Sequence, residues 1–165
     1  MSQFIILNNQ QINHKVKRIA YQIYENNIDE KELVLAGIKT NGFVFAQKIK
    51  EALNVICNID IILCEVIINK KKPQDKIETS LDSNVYKNKS LILVDDVLNS
   101  GTTLIYAVKH FLDVPLKQFK TAVLVNRNHK KYPIKADFKG LSLSTSLQEH
   151  IIVDFSKKSA KAYLE

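Results

Sequence analysis

Apolar positions along the chain switch period in a regular alternation. From 10 to 26 they recur at helical spacing, as Ile12, Val16, Ile19, Ala20 and Ile23, with His14, Lys15, Lys17 and Arg18 on the other side. That pattern predicts an amphipathic helix. Leu33–Ala36 is a short continuous apolar run ending at Gly37, which predicts a buried strand. Helical period returns from Asn41 to Leu53 through Val44, Phe45, Ile49 and Leu53. Asn58–Cys64, Leu91–Val94, Thr121–Val125 and Ile151–Phe155 read as further strands, and Thr102–Leu112 as a helix. The stretch from 69 to 89 is polar, carries NKKKPQDK and is long for a plain loop; such loops tend to be mobile and functional. Strands alternating with helices predict an α/β domain built on a parallel sheet. Ligands of such sheets sit beyond the carboxyl ends of the strands. The residues just after each apolar run are therefore where chemistry is to be sought.

Composition narrows this picture. The 165 residues suit one domain, 45% are hydrophobic and 25% charged, an ordinary globular balance that argues against disorder, collagen-like repeats and a coiled coil. No apolar run approaches the ~18 residues needed to span a bilayer. The opening MSQFIILNNQ lacks the basic n-region of a secretory signal, and a cytoplasmic protein is expected. A net charge of +7 favours an anionic partner such as a nucleotide, phosphate or RNA. Cys57 and Cys64 make neither a disulfide framework nor a zinc site and are expected as reduced, mostly buried thiols. The four glycines contain no G-x-G-x-x-G. Gly37 and Gly42 are spaced as in a P-loop, but Phe43 and Val44 stand where Lys-Ser/Thr is required.

The richest segment is Leu91–Thr103, LILVDDVLNSGTT. A buried strand delivers Asp95 and Asp96 to its carboxyl end, and a loop with hydroxyls, an amide and one glycine then opens a helix. Successive backbone N–H groups at a helix start form an anion nest, reinforced by the positive end of the helix dipole. A phosphate monoester suits this loop, and the two carboxylates suit the hydroxyls of a sugar, directly or through a metal. Taken singly, an Asp-Asp pair is commonly a solvated loop start and an S/T-rich loop a helix cap. Their conjunction in thirteen residues describes a site for a ribose 5-phosphate group.

This block resembles the ribose-phosphate signature of type I phosphoribosyltransferases. ILNNQQINHKVKRIAYQIYENN, LVLAGIKTNGFVFAQKIKEAL and TAVLVNRNHKKYPIKADFKGLSLSTSLQEHIIV extend the likeness over nearly the whole chain. They resemble one branch, the bifunctional pyrimidine-operon attenuation regulators with uracil phosphoribosyltransferase activity. The resemblance implies one domain over 1–165: a twisted, mainly parallel sheet flanked by helices, a flexible loop at about 69–89 and a small hood at about 125–150. It implies transfer of ribose 5-phosphate from phosphoribosyl pyrophosphate to a nucleobase, uracil in this branch, giving UMP and pyrophosphate with Mg²⁺ as cofactor. Asp95 and Asp96 would hold the ribose hydroxyls and reach the metal mostly through the ligand. Asn99, Ser100, Gly101, Thr102 and Thr103 would bind the 5-phosphate, and Lys39, Thr40 and Asn41 the pyrophosphate. Val125, Asn126 and Arg127 would cover the base, largely through backbone groups. The family's RNA face implies Lys15, Lys17 and Arg18 for RNA contact, and its assembly implies a homodimer.

The chain also departs from the pattern. Asn41 and Thr102 stand where the family usually has Arg, and Glu65-Val66-Ile67 replaces an Arg followed by two acidic residues. Asn126-Arg127-Asn128-His129 replaces Asp-Arg-Gly-His, and on the RNA face Tyr21, Leu141 and Leu147 replace a His, a Lys and an Arg. Lost guanidinium groups remove bidentate anion contacts. Beside the enzyme stand two other readings: a catalytically weak nucleotide-binding paralogue, and an RNA-binding regulator of pyrimidine genes.

Overall fold

Alternate residues of the central strands face opposite ways, and both ways are buried. In the strand from Glu32 to Ile38, Leu33 and Leu35 enter one core while Val34, Ala36 and Ile38 enter the other. Ile92 and Val94 oppose Leu91 and Leu93 in the same manner. This is why these strands read as unbroken apolar runs. The structure, a computed structural model, describes residues 3–146 and 148–165, so Leu147 lies outside the described residues.

In chain order the elements are β1 (Phe4–Leu7), α1 (Asn9–Asn26), β2 (Glu32–Ile38), α2 (Asn41–Ile56), β3 (Asp60–Ile67), β4 (Glu78–Thr79) and α3 (Ser83–Tyr86). There follow β5 (Ser90–Leu98), α4 (Thr102–Phe111), β6 (Gln118–Arg127), β7 (Phe138–Leu143), β8 (Ile151–Asp154) and β9 (Lys161–Leu164). The main sheet has the order β4-β3-β2-β5-β6-β7. Every pairing in it is parallel except β3 with β4. A second sheet, β1-β9-β8, is antiparallel and joins the two ends of the chain. α1 and α2 pack on one face of the main sheet, where Ile12, Ile19, Ile23, Phe45, Ile49 and Leu53 are fully buried. α4 covers the other with Leu104, Ala107 and Phe111. Phe111 meets Tyr86 and Phe119 edge-on, with centroids 5.0 and 6.0 Å away. Each such buried side chain contributes roughly 1.5–3 kcal/mol.

The predicted helices and buried strands are present, most with longer bounds, while α4 stops at Phe111 and β8 at Asp154, each one residue short of the reading. The strand expected at Asn58–Cys64 runs instead from Asp60 to Ile67, because its pairing with β2 continues to Ile38↔Val66. Phe155 falls past the end of β8 and stacks on Phe45 at 6.1 Å. The polar stretch from 69 to 89 carries β4 and α3 in its second half and buries Ile77 and Tyr86. β1, β7 and β9 have no counterpart in the sequence reading. Cys57 and Cys64 are both free; Cys64 is buried, and that burial raises its thiol pKa.

Local chemistry sets the helix starts. Asn8 and Gln11 form a capping box on α1, each side chain accepting the other's backbone N–H at 2.9 Å. Gly42, in the first turn of α2, lies against the end of β5. A Cβ there would sit 2.8 Å from the Val94 carbonyl oxygen and 3.0 Å from Asp95 Oδ1. Gly42→Ala should therefore lower stability by about 1–3 kcal/mol through overpacking, read as a fall in the urea midpoint. A gain of about 1 kcal/mol, the helix-propensity value of replacing Gly, would show that the contact is easily relieved.

Candidate functional site

β2 and β5 are neighbours, yet the chain leaves β2 toward β3 on one side and β5 toward β6 on the other. Strand order reverses between them, and a crevice opens beyond their carboxyl ends. Two loops meet there, Lys39–Asn41 after β2 and Asn99–Gly101 after β5. A cavity of 290 Å³ lies over the second, lined by Asp95, Asp96 and the run from Val97 to Leu104, with Lys70 and Ile151 closing its sides.

The loop after β5 takes its shape from Gly101, which has φ +85° and ψ −1° and precedes the first turn of α4. A left-handed conformation there favours glycine. Space forbids a side chain as well, since a Cβ would collide with Cγ2 of Ile134. Gly101 at the N-cap gives α4 no side-chain cap, so the N–H groups that follow Thr102 are left for an anion. Ser100 Oγ and Thr102 Oγ1 bond each other at 2.8 Å, and Ser100 Oγ accepts the Thr102 N–H at 3.3 Å. The Ser100 carbonyl accepts the Lys131 and Tyr132 N–H groups at 2.8 and 3.2 Å, tying the loop to the segment after β6. The result is a small ring of amides and hydroxyls around a cavity whose walls include Thr103 and Asn99.

The two acids differ in environment. Asp95 is 3% exposed, and its Oδ1 accepts the Asp96 N–H at 2.9 Å. Burial, then the adjacent Asp96 charge, pushes its carboxyl well above the usual range; Lys70 opposes this from across the cavity. Asp96 is half-buried. Its Oδ1 accepts the Val97 N–H at 2.9 Å and its Oδ2 the Asn41 amide at 3.1 Å. Asn41 also donates to the Val153 carbonyl at 2.8 Å, so its side chain joins α2, β5 and β8. Among the described residues no group of three or more His, Cys, Asp or Glu is placed to cage a metal. A divalent ion bound through one or two carboxylates and ligand oxygens needs no such cage, and Asp96 fits that arrangement.

The remaining expected residues fall in three places. Lys39 donates its backbone N–H to the Val66 carbonyl at 2.9 Å, and its Nζ lies 3.9 Å from Glu65. Thr40 is exposed at the start of α2 and has no side-chain cap hydrogen bond. Val125 is buried within the sheet between Val97 and Leu141. The Asn126 amide donates to Ser142 Oγ at 3.3 Å, and Arg127 donates to Thr145 Oγ1 at 2.5 Å and to the Ser146 carbonyl at 2.6 Å. These two side chains hold the 142–146 segment and do not line the cavity. Arg18 gives its guanidinium to the Lys139 and Gly140 carbonyls at 2.7 and 2.8 Å, Lys15 packs on Gly140, and Lys17 borders a groove between α1 and α2. Lys70 and Ile151 line the cavity without having been singled out in the sequence. The signal for Lys70 was the basic run NKKKP; Ile151 carried none.

Comparison with known proteins supplies the family. The phosphoribosyl transferase domain family matches residues 2–159. A "Bifunctional protein PyrR" of Macrococcus caseolyticus is 35% identical over 161 residues, covering 93% of this chain and 92% of its own. The protein of the same name from Streptococcus sanguinis is 37% identical over 151 residues, covering 88% and 87%. Among solved structures, a hypoxanthine-guanine phosphoribosyltransferase of Bacillus anthracis superposes with a TM-score of 0.75 at 22% identity, covering 98% of both chains. The hypoxanthine phosphoribosyltransferase of Trypanosoma cruzi gives 0.78 at 16%, covering 99% and 98%. The two structures share the fold, and the sequence matches extend along most of the chain. With an acid pair and an uncapped helix start meeting at the switch point of the sheet, this chain belongs to the phosphoribosyltransferase family.

Proposed function

We propose that the protein transfers ribose 5-phosphate from phosphoribosyl pyrophosphate to uracil, releasing UMP and pyrophosphate. The observation that carries this reading is the cavity over the start of α4, with Asp95 and Asp96 on one wall and the amides of Ser100 to Thr103 on the other. The nest holds the 5-phosphate, and the acids hold the 2- and 3-hydroxyls of the pentose. Lys39, Thr40 and the start of α2 face the leaving group. A nitrogen of the base attacks the anomeric carbon and gives up its proton, while the C–O bond to pyrophosphate breaks and its electron pair leaves with the pyrophosphate. Bound Mg²⁺ would neutralise charge on that leaving group. Asp96, oriented by Asn41 and the Val97 N–H, fixes the sugar so that the anomeric carbon stays in line. No nucleophilic side chain is called for, because the base is the nucleophile. Uracil rests on the sequence resemblance to pyrimidine-operon regulators; the hypoxanthine enzymes share only the fold.

A second reading, a nucleotide binder with weak turnover, is favoured by one specific feature. Asn41 spends its amide on Asp96 and Val153, so the start of α2 offers no guanidinium to the leaving group.

Supplied with uracil, phosphoribosyl pyrophosphate and Mg²⁺, the protein should release UMP and pyrophosphate, followed by chromatography and a pyrophosphate assay. Hypoxanthine and guanine run in parallel should be inert; turnover with either alone would replace uracil in the proposal. UMP binding by calorimetry with silence toward every base would favour the second reading. Asp96→Ala should lower kcat/KM for the donor by about ten- to hundredfold, the worth of a hydrogen bond to a charged group.

Asp95 adds a stability test. A carboxyl whose folded pKa is raised contributes fully below its unfolded value near 3.9 and loses that contribution as pH rises through the folded value. Asp95→Asn keeps the oxygen that accepts the Asp96 N–H but cannot ionise. Its melting temperature should match the parent's near pH 4 and exceed it by about 2–4 °C or more at pH 8, each kcal/mol moving a domain of this size by about that much. An advantage confined to acid pH would refute the assignment.

A further inference from the structure

β2 and β3 are in parallel register with Gly37 opposite Glu65. That pairing brings the Glu65 side chain to the edge of the loop that begins at Lys39. The Glu65 backbone is also held from the far side. Its N–H donates to Ser80 Oγ at 2.8 Å, and its carbonyl accepts the Ser80 N–H at 2.9 Å. So the Glu65 backbone is held on both sides, by β2 and by Ser80. Its Oε1 lies 3.9 Å from Lys39 Nζ, with the lysine side chain 57% and the glutamate 30% exposed. An open pair at this separation is weak and exchangeable. An anion arriving at the loop must draw Lys39 from Glu65 and then sit beside an uncompensated carboxylate. At the other anion position Asp95 and Asp96 also line the cavity, but Asp95 is buried, Asp96 is engaged by Asn41 and the Val97 N–H, and Lys70 adds positive charge beside the amides and hydroxyls around Ser100.

We infer that Glu65 is a specificity-determining residue, which occupies Lys39 and biases the site toward ligands with a single terminal phosphate over ligands that also carry a pyrophosphate. This inference rests on the site assignment made under Proposed function. It adds a selectivity which that assignment does not require. The two anion positions are unequal: the one at α4 is built and open, and the one at α2 is guarded. Removing the guard should strengthen binding of pyrophosphate and leave UMP alone, because UMP has no group at the α2 loop.

The test is calorimetric titration of inorganic pyrophosphate and of UMP into the parent, Glu65→Gln and Glu25→Gln. All titrations are run at low ionic strength without divalent cation. Glu25 is exposed near the end of α1 and serves as the control for net charge. Glu65→Gln should bind pyrophosphate about three- to tenfold more tightly than the parent, with a gain that fades as salt is added. Glu25→Gln should match the parent, and the UMP affinities of all three proteins should agree within about twofold. An unchanged pyrophosphate affinity in Glu65→Gln overturns the inference. So does an equal gain in Glu25→Gln, or a parallel shift in UMP affinity. Failure of pyrophosphate to bind either the parent or Glu65→Gln also overturns it. UMP binding by those same samples then shows whether the assignment of the site survives.

Discussion

The close approach of α2 to the end of β5 is the contact on which the site depends. Gly42 allows it by having no side chain where the Val94 carbonyl and Asp95 carboxyl press in. That approach buries Asp95, sets Asn41 within reach of Asp96, and leaves the loop after β5 as the exposed rim of the crevice. A bulkier residue at 42 would push the helix outward and open both acids to water. The architecture of the site is thus a packing constraint before it is an electrostatic one.

Electrostatics then make the two acids unequal. Burial works against ionisation of Asp95, while Asp96 has hydrogen bonds to both of its oxygens. A carboxyl placed where ionisation is costly makes the empty fold less stable than it needs to be. Functional sites commonly carry such costs. The cavity that holds the acids is also lined by Lys70 and the loop at the start of α4, so groups of opposite character share one space. The proposed sugar phosphate, with hydroxyls at one end and an anion at the other, would use both.

How much of this was legible depended on whether the information was local. The buried strands and the three long helices show their period within a few residues, since a side chain's burial there follows from its place in the repeat. The block from Leu91 to Thr103 was legible for the same reason: acids, hydroxyls and the glycine turn are contiguous. β1 and β9 were not, because each is four residues long and they stabilise each other from opposite ends of the chain. β7 alternates buried and exposed positions at the sheet's edge, a weak signal over six residues. Lys70, Asn41 and Arg18 show the same limit for side chains. As residue types they suggest a solvated loop, a helix start and a basic face. Their roles come from partners at Asp95, at Asp96 and Val153, and at Lys139 and Gly140.

Taken alone, the amino-acid order determined the alternating α/β architecture and placed the proposed anion nest and its acids in one contiguous block. Each is written in neighbouring residues whose hydrophobicity and hydrogen-bonding capacity act over one or two turns. Only the tertiary structure decided which carboxyl is buried, which cations remain free and where Glu65 directs its charge. Desolvation and ion pairing are set by what lies within a few ångströms in space. In a parallel sheet those neighbours come from strands and loops dozens of residues apart.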